Sequence, residues 1–223
     1  MTWISEFISQ WMPYITKASI ETFLMVSISL VFSIFIGIPL GILLVLTRPN
    51  QAWENRYVYQ GLNIFINLIR SIPFIILLFF LIPFTKFVAG TTIGVKGVIV
   101  PLVIYTAPYL ARLLETSLLE VEQGVIEAYE AMGIKTWQII WHVMLRESRS
   151  SIVLGLTIVT ISLIGATAMA GLVGAGGLGD LAYRFGHIRY EVDVMYATVL
   201  ILIIVVQGIQ TIGNKLATFL KKD

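Results

Sequence analysis

Three stretches of this chain carry no charged residue: residues 22–47 (26 residues), 150–179 (30 residues) and 194–214 (21 residues). Two more are nearly as bare, since residues 57–85 hold only Arg70 and residues 97–114 hold only Arg112. A hydrocarbon core of about 30 Å takes about 20 helical residues to cross, and nearly all of these runs reach that length. Inside lipid the backbone must satisfy its own hydrogen bonds, which leaves helices and closed barrels. The runs lack the polar–apolar alternation of a barrel strand. Composition agrees: 57% of the 223 residues are hydrophobic and 13% charged, against roughly 45–50% and about 25% in soluble domains. The expected fold class is all-α, a polytopic membrane protein with five transmembrane helices at about 18–47, 57–85, 97–117, 150–172 and 194–214.

Residues 1–16 precede these spans. Trp3, Ile4, Phe7, Ile8, Trp11, Met12 and Ile15 recur at helical spacing opposite Thr2, Ser5, Glu6, Ser9 and Gln10. This pattern predicts an N-terminal interfacial helix that ends near Pro13 and remains attached, because a signal peptide would have a basic start and an unbroken apolar region. Lysine and arginine set the orientation. With the N-terminus outside, nine cations fall on the inner side and five on the outer side, with Arg70 inside the membrane. The C-terminus and the segment 120–149 are then cytoplasmic.

Several functions are excluded. A net charge of +2 gives nucleic acid no electrostatic footprint. Cysteine is absent and the two histidines, His142 and His187, are far apart, so no metal site is expected. No G-x-x-x-x-G-K-[ST] loop is present. The G-x-G-x-x-G match at residues 174–179 closes an apolar helix instead of opening one after a strand. No acid, base and nucleophile set suggests an enzyme, and no cofactor is expected.

Two features inside the spans are candidates for a transport pathway. Gln60, Asn63, Asn67, Arg70 and Ser71 fall on one helical face, just before Pro73, which should break or kink the helix. An arginine this deep faces a protein interior or a water-filled cavity. Arg70 is therefore either a brace of the bundle or part of the pathway lining. In the fourth span Met169 is the one large flexible side chain among Gly165, Ala166, Thr167, Ala168, Ala170 and Gly171. It is either a plug that gates by excluding water or a filler of a gap between helices.

The cytoplasmic segment interrupts the apolar pattern with VIEAYEAMGIKTW, from Val125 to Trp137. Ile126, Tyr129 and Met132 are expected along one side of a short helix, with Glu127 and Glu130 beside them. Gly133 is expected to stop it, and Thr136 to cap a second helix through Ile139, Ile140, Val143 and Met144. An apolar ridge exposed to water fits a partner's groove, the headgroup layer or the chain's own bundle.

Glu127-Ala128-Tyr129 followed by Gly133 resembles the EAA loop, E-A-A-x-x-x-G, of ABC importer permeases. The likeness covers about residues 14–219. It includes RSIPFIILLFFLIPFTKFVAGTTIG from Arg70 and AMAGLVGAGGLGDLAYRFG from Ala168. The first of these, with five spans, is most similar to the methionine permeases. The glycine run is also similar to permeases for betaine and phosphonate. The chain departs from the pattern at Tyr129, where alanine is usual, at Leu145-Arg146, where leucine-proline is usual, and at Arg149, which replaces a frequent proline. Without those prolines the second loop helix has nothing to stop it running on into the fourth span.

The resemblance implies a type I ABC importer permease fold, with a transmembrane domain over 17–219 and a coupling loop at about 120–149. It implies a homodimer in the bacterial inner membrane, two cytoplasmic ABC ATPase subunits and an extracytoplasmic substrate-binding lipoprotein. Glu127, Ala128, Tyr129, Glu130, Met132 and Gly133 would dock the ATPase. Asn63, Asn67, Arg70, Ser71 and Met169 would line the pathway for methionine of either hand. The alternatives are a permease for another small solute such as a quaternary amine, a secondary transporter or channel, and a non-transporting membrane subunit.

Overall fold

The computed structural model describes residues 2–49 and 51–221, with side chains from Glu6 onward. The side chains of Trp3 and Ile4 therefore lie outside the described residues. The elements in chain order are α1 (Thr2–Thr47), α2 (Arg56–Ser71), α3 (Phe74–Phe80), α4 (Ile82–Ala89), α5 (Gly94–Leu118) and α6 (Gln123–Ala131). Then come α7 (Thr136–Ile139), a π-helical stretch (Ile140–Met144), α8 (Leu145–Glu147) and α9 (Arg149–Ala170). The chain finishes with a 3-10 turn (Gly171–Val173), α10 (Gly177–Leu181), a second π-helical stretch (Ala182–Ile188) and α11 (Val192–Leu220). Among the described residues there is no strand. Among the described residues four helices, α1, α5, α9 and α11, are long and apolar enough to cross a membrane, and the broken pair α2–α3 makes a fifth when counted as one span.

The break in that pair comes from Pro73. Its ring allows no backbone N–H, so α2 cannot continue its hydrogen-bond ladder through it. Pro73 instead adopts an extended conformation (φ −55, ψ 137) and its carbonyl accepts from Ile76 and Leu77 to start α3.

The chain divides into two compact units, and α1, α5, α9 and α11 contribute to both. The first comprises Met1–Phe32, Ile72–Tyr105 and Thr160–Gly208. Its core buries Trp11, Ile15 and Ala18 of α1 against Leu178, Leu181 and Val194, with Phe185 packed on it. The break expected near Pro13 is absent, since α1 runs unbroken through it. Pro13 and Ser9, whose carbonyl loses its partner, are both exposed, while Trp11 and Ile15 on the opposite side are locked in the core. In the same unit the glycine run makes a tight hairpin. A Cβ on Gly179 would lie 2.3 Å from the Ala168 oxygen, and one on Gly171 would lie 2.3 Å from the Asp180 nitrogen. Glu21 and Thr22 of α1 close the start of α10, accepting hydrogen bonds from the backbone of Gly177 (2.8 Å) and Leu178 (2.9 Å).

The second unit comprises Ser33–Ser71, Thr106–Val159 and Ile209–Asp223. Gly37 and Gly41 lie one turn apart on α1, and a Cβ on either would meet the backbone oxygen of Ala107 or Ala111 at 2.9 or 2.8 Å. Small residues at this spacing let two helices approach closely where lipid supplies no hydrophobic driving force. Leu44, Ile66 and Ala111 then join α1, α2 and α5 in one buried cluster.

Candidate functional site

The cytoplasmic segment is built on a core of its own within the second unit. Val45, Leu46, Leu114, Leu118, Ile139, Ile140, Val143 and Met144 form a buried cluster, and Ile126, Tyr129 and Ile134 pack on it partly buried. The helix α6 ends in a Schellman turn, in which Gly133 N–H donates to the Glu130 carbonyl (2.8 Å) and Ile134 N–H to the Tyr129 carbonyl (3.2 Å). Gly133 makes that turn at φ +75, in the left-handed region, and space is not the reason for glycine because a Cβ there would meet nothing within 4 Å.

This geometry revises the expected helix face. Ile126 and Tyr129 point into the chain's own core, whereas Met132 is 65% exposed. Met132 stands six residues after Ile126, which at 3.6 residues per turn carries it about 120° round the helix, so it leaves the ridge. The outward face is made of other residues. Gly124, Ala128 and Met132 follow at i, i+4 and i+8, all exposed, with Glu127 and Glu130 also exposed. The second helix also starts differently: Lys135, not Thr136, precedes its first residue, and the Gln138 side chain accepts from the Lys135 backbone N–H at 3.3 Å. That helix reaches α9 with Ser148 as the one residue between α8 and α9. Arg149, at the position of a frequent family proline, donates from Nε to the Leu220 carbonyl (2.9 Å), and Ser150 Oγ donates to the Ala217 carbonyl (2.9 Å). The first satisfies a C-terminal carbonyl that α11 cannot satisfy by itself, while the Ala217 carbonyl also accepts from the Lys221 N–H (2.9 Å).

The polar stripe of α2 separates into two groups. Asn63 and Asn67 accept hydrogen bonds from Arg112 on α5, the latter at 3.2 Å, and Asn67 Nδ2 donates to Asn63 Oδ1 at 3.3 Å. Arg112 also donates to Glu115 at 2.5 Å, and Glu115 is only 3% exposed. Ser71 returns its hydroxyl to the Asn67 carbonyl at 2.7 Å. Arg70 takes no part in this network. Its guanidinium lies over the Tyr109 ring, 5.5 Å from the centroid, and among the described residues its N–H groups have no acceptor. Arg112 and Glu115 are not among the residues that the sequence singles out, although they hold the stripe. The available signal was their i, i+3 spacing near the end of α5, whose other charge, Lys96, lies in its first turn.

In the first unit, Gly165, Met169 and Leu172 lie on one exposed face of α9 and its 3-10 extension. Met169 is 50% exposed, and a Cβ on Gly165 would meet nothing within 4 Å. Within one copy of the chain, then, Met169 does not fill an interhelical gap.

Comparison with known proteins agrees with this architecture. Residues 37–222 match the family model described as "Binding-protein-dependent transport system inner membrane component". A probable D-methionine transport system permease protein from Pasteurella multocida is 43% identical over 200 residues, covering 90% of this chain and 92% of its own. A methionine import system permease protein from Bacillus subtilis is 43% identical over 180 residues, covering 81% of each chain. Among solved structures, an inward-facing methionine ABC transporter contains a chain that superposes with a TM-score of 0.93 at 42% identity, covering 95% of this chain and 98% of that one. The type I permease architecture is thus present along nearly the whole length, and the chain belongs to the family of binding-protein-dependent transport system inner membrane components.

Proposed function

We propose that this chain is the permease subunit of an ATP-driven importer that carries methionine, of either hand, across the bacterial inner membrane. Two copies form the pathway, two cytoplasmic ATPase subunits drive it, and an extracytoplasmic lipoprotein delivers the substrate. The N-terminus lies outside and residues 120–149 lie inside. The observation that carries this reading is the mounting of α6. Ile126 and Tyr129 fasten it to a buried core while Gly124, Ala128 and Met132 present a low, partly apolar strip. Such a strip suits the groove of a partner, and the rigid core behind it passes a push to α1 and α5 through Val45, Leu46, Leu114 and Leu118.

In this mechanism ATP-driven closure of the ATPases moves the two α6 helices together and rocks the spans between inward-open and outward-open states. Chemistry occurs only on the ATPases, and the permease supplies the path and the lever. The direct test is reconstitution of the chain with its ATPase and binding protein in proteoliposomes. ATP-dependent uptake of labelled methionine is expected, with no uptake when either partner is omitted. Uptake of a quaternary amine and not of methionine would overturn the substrate assignment, and uptake without the ATPase would overturn the class.

A further inference from the structure

Two arginines sit within the apolar helices of the second unit, and they are treated in opposite ways. Arg112 has its donors taken up by Asn63, Asn67 and Glu115. Arg70 lies over the Tyr109 ring, 5.5 Å from its centroid, and its N–H groups have no acceptor among the described residues. It stands 14 residues from Arg56 on α2, about 21 Å along the helix at 1.5 Å per residue. A hydrocarbon core is about 30 Å deep, so Arg70 is far from the end at which α2 begins. A charge within a spanning segment faces a protein interior or a water-filled cavity rather than lipid, and among the described residues this one has no acceptor.

Arg70 is also well prepared to receive an anion. The aromatic face orients the guanidinium without competing for its in-plane donors. The neighbouring polar groups are committed elsewhere: Asn67 to Asn63 and Arg112, and the Ser71 hydroxyl to the Asn67 carbonyl. The planar fork that remains matches a carboxylate, which it can grip through two parallel N–H···O bonds.

We propose that Arg70 is the specificity-determining residue of the pathway, receiving the α-carboxylate of the amino-acid substrate as it crosses, with Tyr109 as its platform. This assignment rests on the amino-acid import reading above. It adds that the permease itself, and not only a delivering protein, distinguishes substrates that carry a carboxylate.

The test uses the intact permease–ATPase complex in nanodiscs without the binding protein, titrated with methionine and with methioninol, in which a hydroxymethyl group replaces the carboxylate. The complex is expected to bind methionine about tenfold or more tightly than methioninol. Arg70→Gln should bring that ratio close to one, and Arg70→Lys should retain part of it. Equal affinity for both ligands in the unmodified complex would overturn the proposal, as would a ratio that survives Arg70→Gln. Weakened assembly in Arg70→Gln, with the ratio unchanged in the fraction that still assembles, would mean that Arg70 pairs with a neighbouring subunit, which also overturns it. Parallel uptake assays of the unmodified transporter keep the two readings apart. If methionine is imported but the ratio is insensitive to Arg70, only this proposal fails. If methionine is not imported at all, the substrate reading fails.

Discussion

Arg112 and Glu115 form an ion pair at 2.5 Å three residues apart on α5, and the same guanidinium reaches across to Asn63 and Asn67 on α2. The pair lies among Ala111, Leu114 and Leu118, which belong to the two buried clusters of the second unit. It thus registers α2, the helix of the polar stripe, on the helix whose end supports α6.

Breaking this pair from one side should be costly, because the remaining charge loses its partner in a desolvated place. Arg112→Leu is expected to destabilise the protein by about 3 kcal/mol or more. Glu115→Gln, which can still accept from Arg112, should cost about half as much. The double variant Arg112→Leu with Glu115→Gln should cost less than the sum of the two single losses, since neither charge is then left unpaired. Thermal unfolding of the detergent-solubilised protein for all members of this cycle provides the check. Strictly additive losses would mean that the two side chains do not act as a pair.

Gly133 separates conformational strain from crowding. Its φ of +75 is open to glycine and tolerable for asparagine, but a β-branched residue resists it. Gly133→Val is expected to cost about 1–2 kcal/mol locally and to misdirect the end of α6, with the protein still inserted. Gly133→Asn should be close to neutral. Co-purification of the ATPase should fall for valine and persist for asparagine, and an equal effect of the two would remove the left-handed turn from the docking argument.

The glycines around the hairpin of the first unit should divide sharply. Gly179→Ala places a methyl group 2.3 Å from the Ala168 backbone oxygen, where no rotation of a flexible side chain can make room. Loss of membrane accumulation is expected. Gly165→Ala fills open space on the same helix as Ala168 and should raise helix stability by up to about 1 kcal/mol. Expression level and thermal stability of the two variants, measured side by side, give the test. A stable Gly179→Ala protein would mean that the two backbones can part at that point.

Much of the fold was legible because charge is so costly in lipid. The uncharged runs 22–47, 150–179 and 194–214 fall largely within α1, α9 and α11, and the proline at 73 marks the break between α2 and α3. Legibility failed where a long-range contact decides the outcome. Nothing local says that Asn63 and Asn67 answer to Arg112 rather than to Arg70 on their own helix. Met132 is expected with Ile126 and Tyr129, but six residues of helix turn it about 120° from Ile126, onto the exposed side of Gly124 and Ala128. Pro13 was read as a stop because local rules cannot see Trp11 and Ile15 anchored on Leu178 and Leu181. The EAA resemblance located the segment 120–149, while which of its faces looks outward had to come from its packing.

Met169 is the last and most discriminating case. A methionine that filled a gap within the bundle would be enclosed, and truncating it would cost roughly 2–5 kcal/mol. At 50% exposure on the open face of α9, beside Gly165 with empty space over its Cα, it has little packing of its own to lose. Met169→Ala is therefore expected to cost about 1 kcal/mol or less in stability. If two copies meet across this face, a bulky apolar side chain there closes a narrow passage by excluding water, and removing it opens the passage without unfolding the protein. The expected phenotype is normal assembly, ATP hydrolysis that continues without matching uptake, and leak of accumulated methionine from proteoliposomes. Met169→Cys should also form an intermolecular disulfide in one transport state and lose it in the other, because a gate must separate when it opens. A stable alanine variant that remains fully coupled, or a cysteine that crosslinks equally in both states, would rule out gating by this residue.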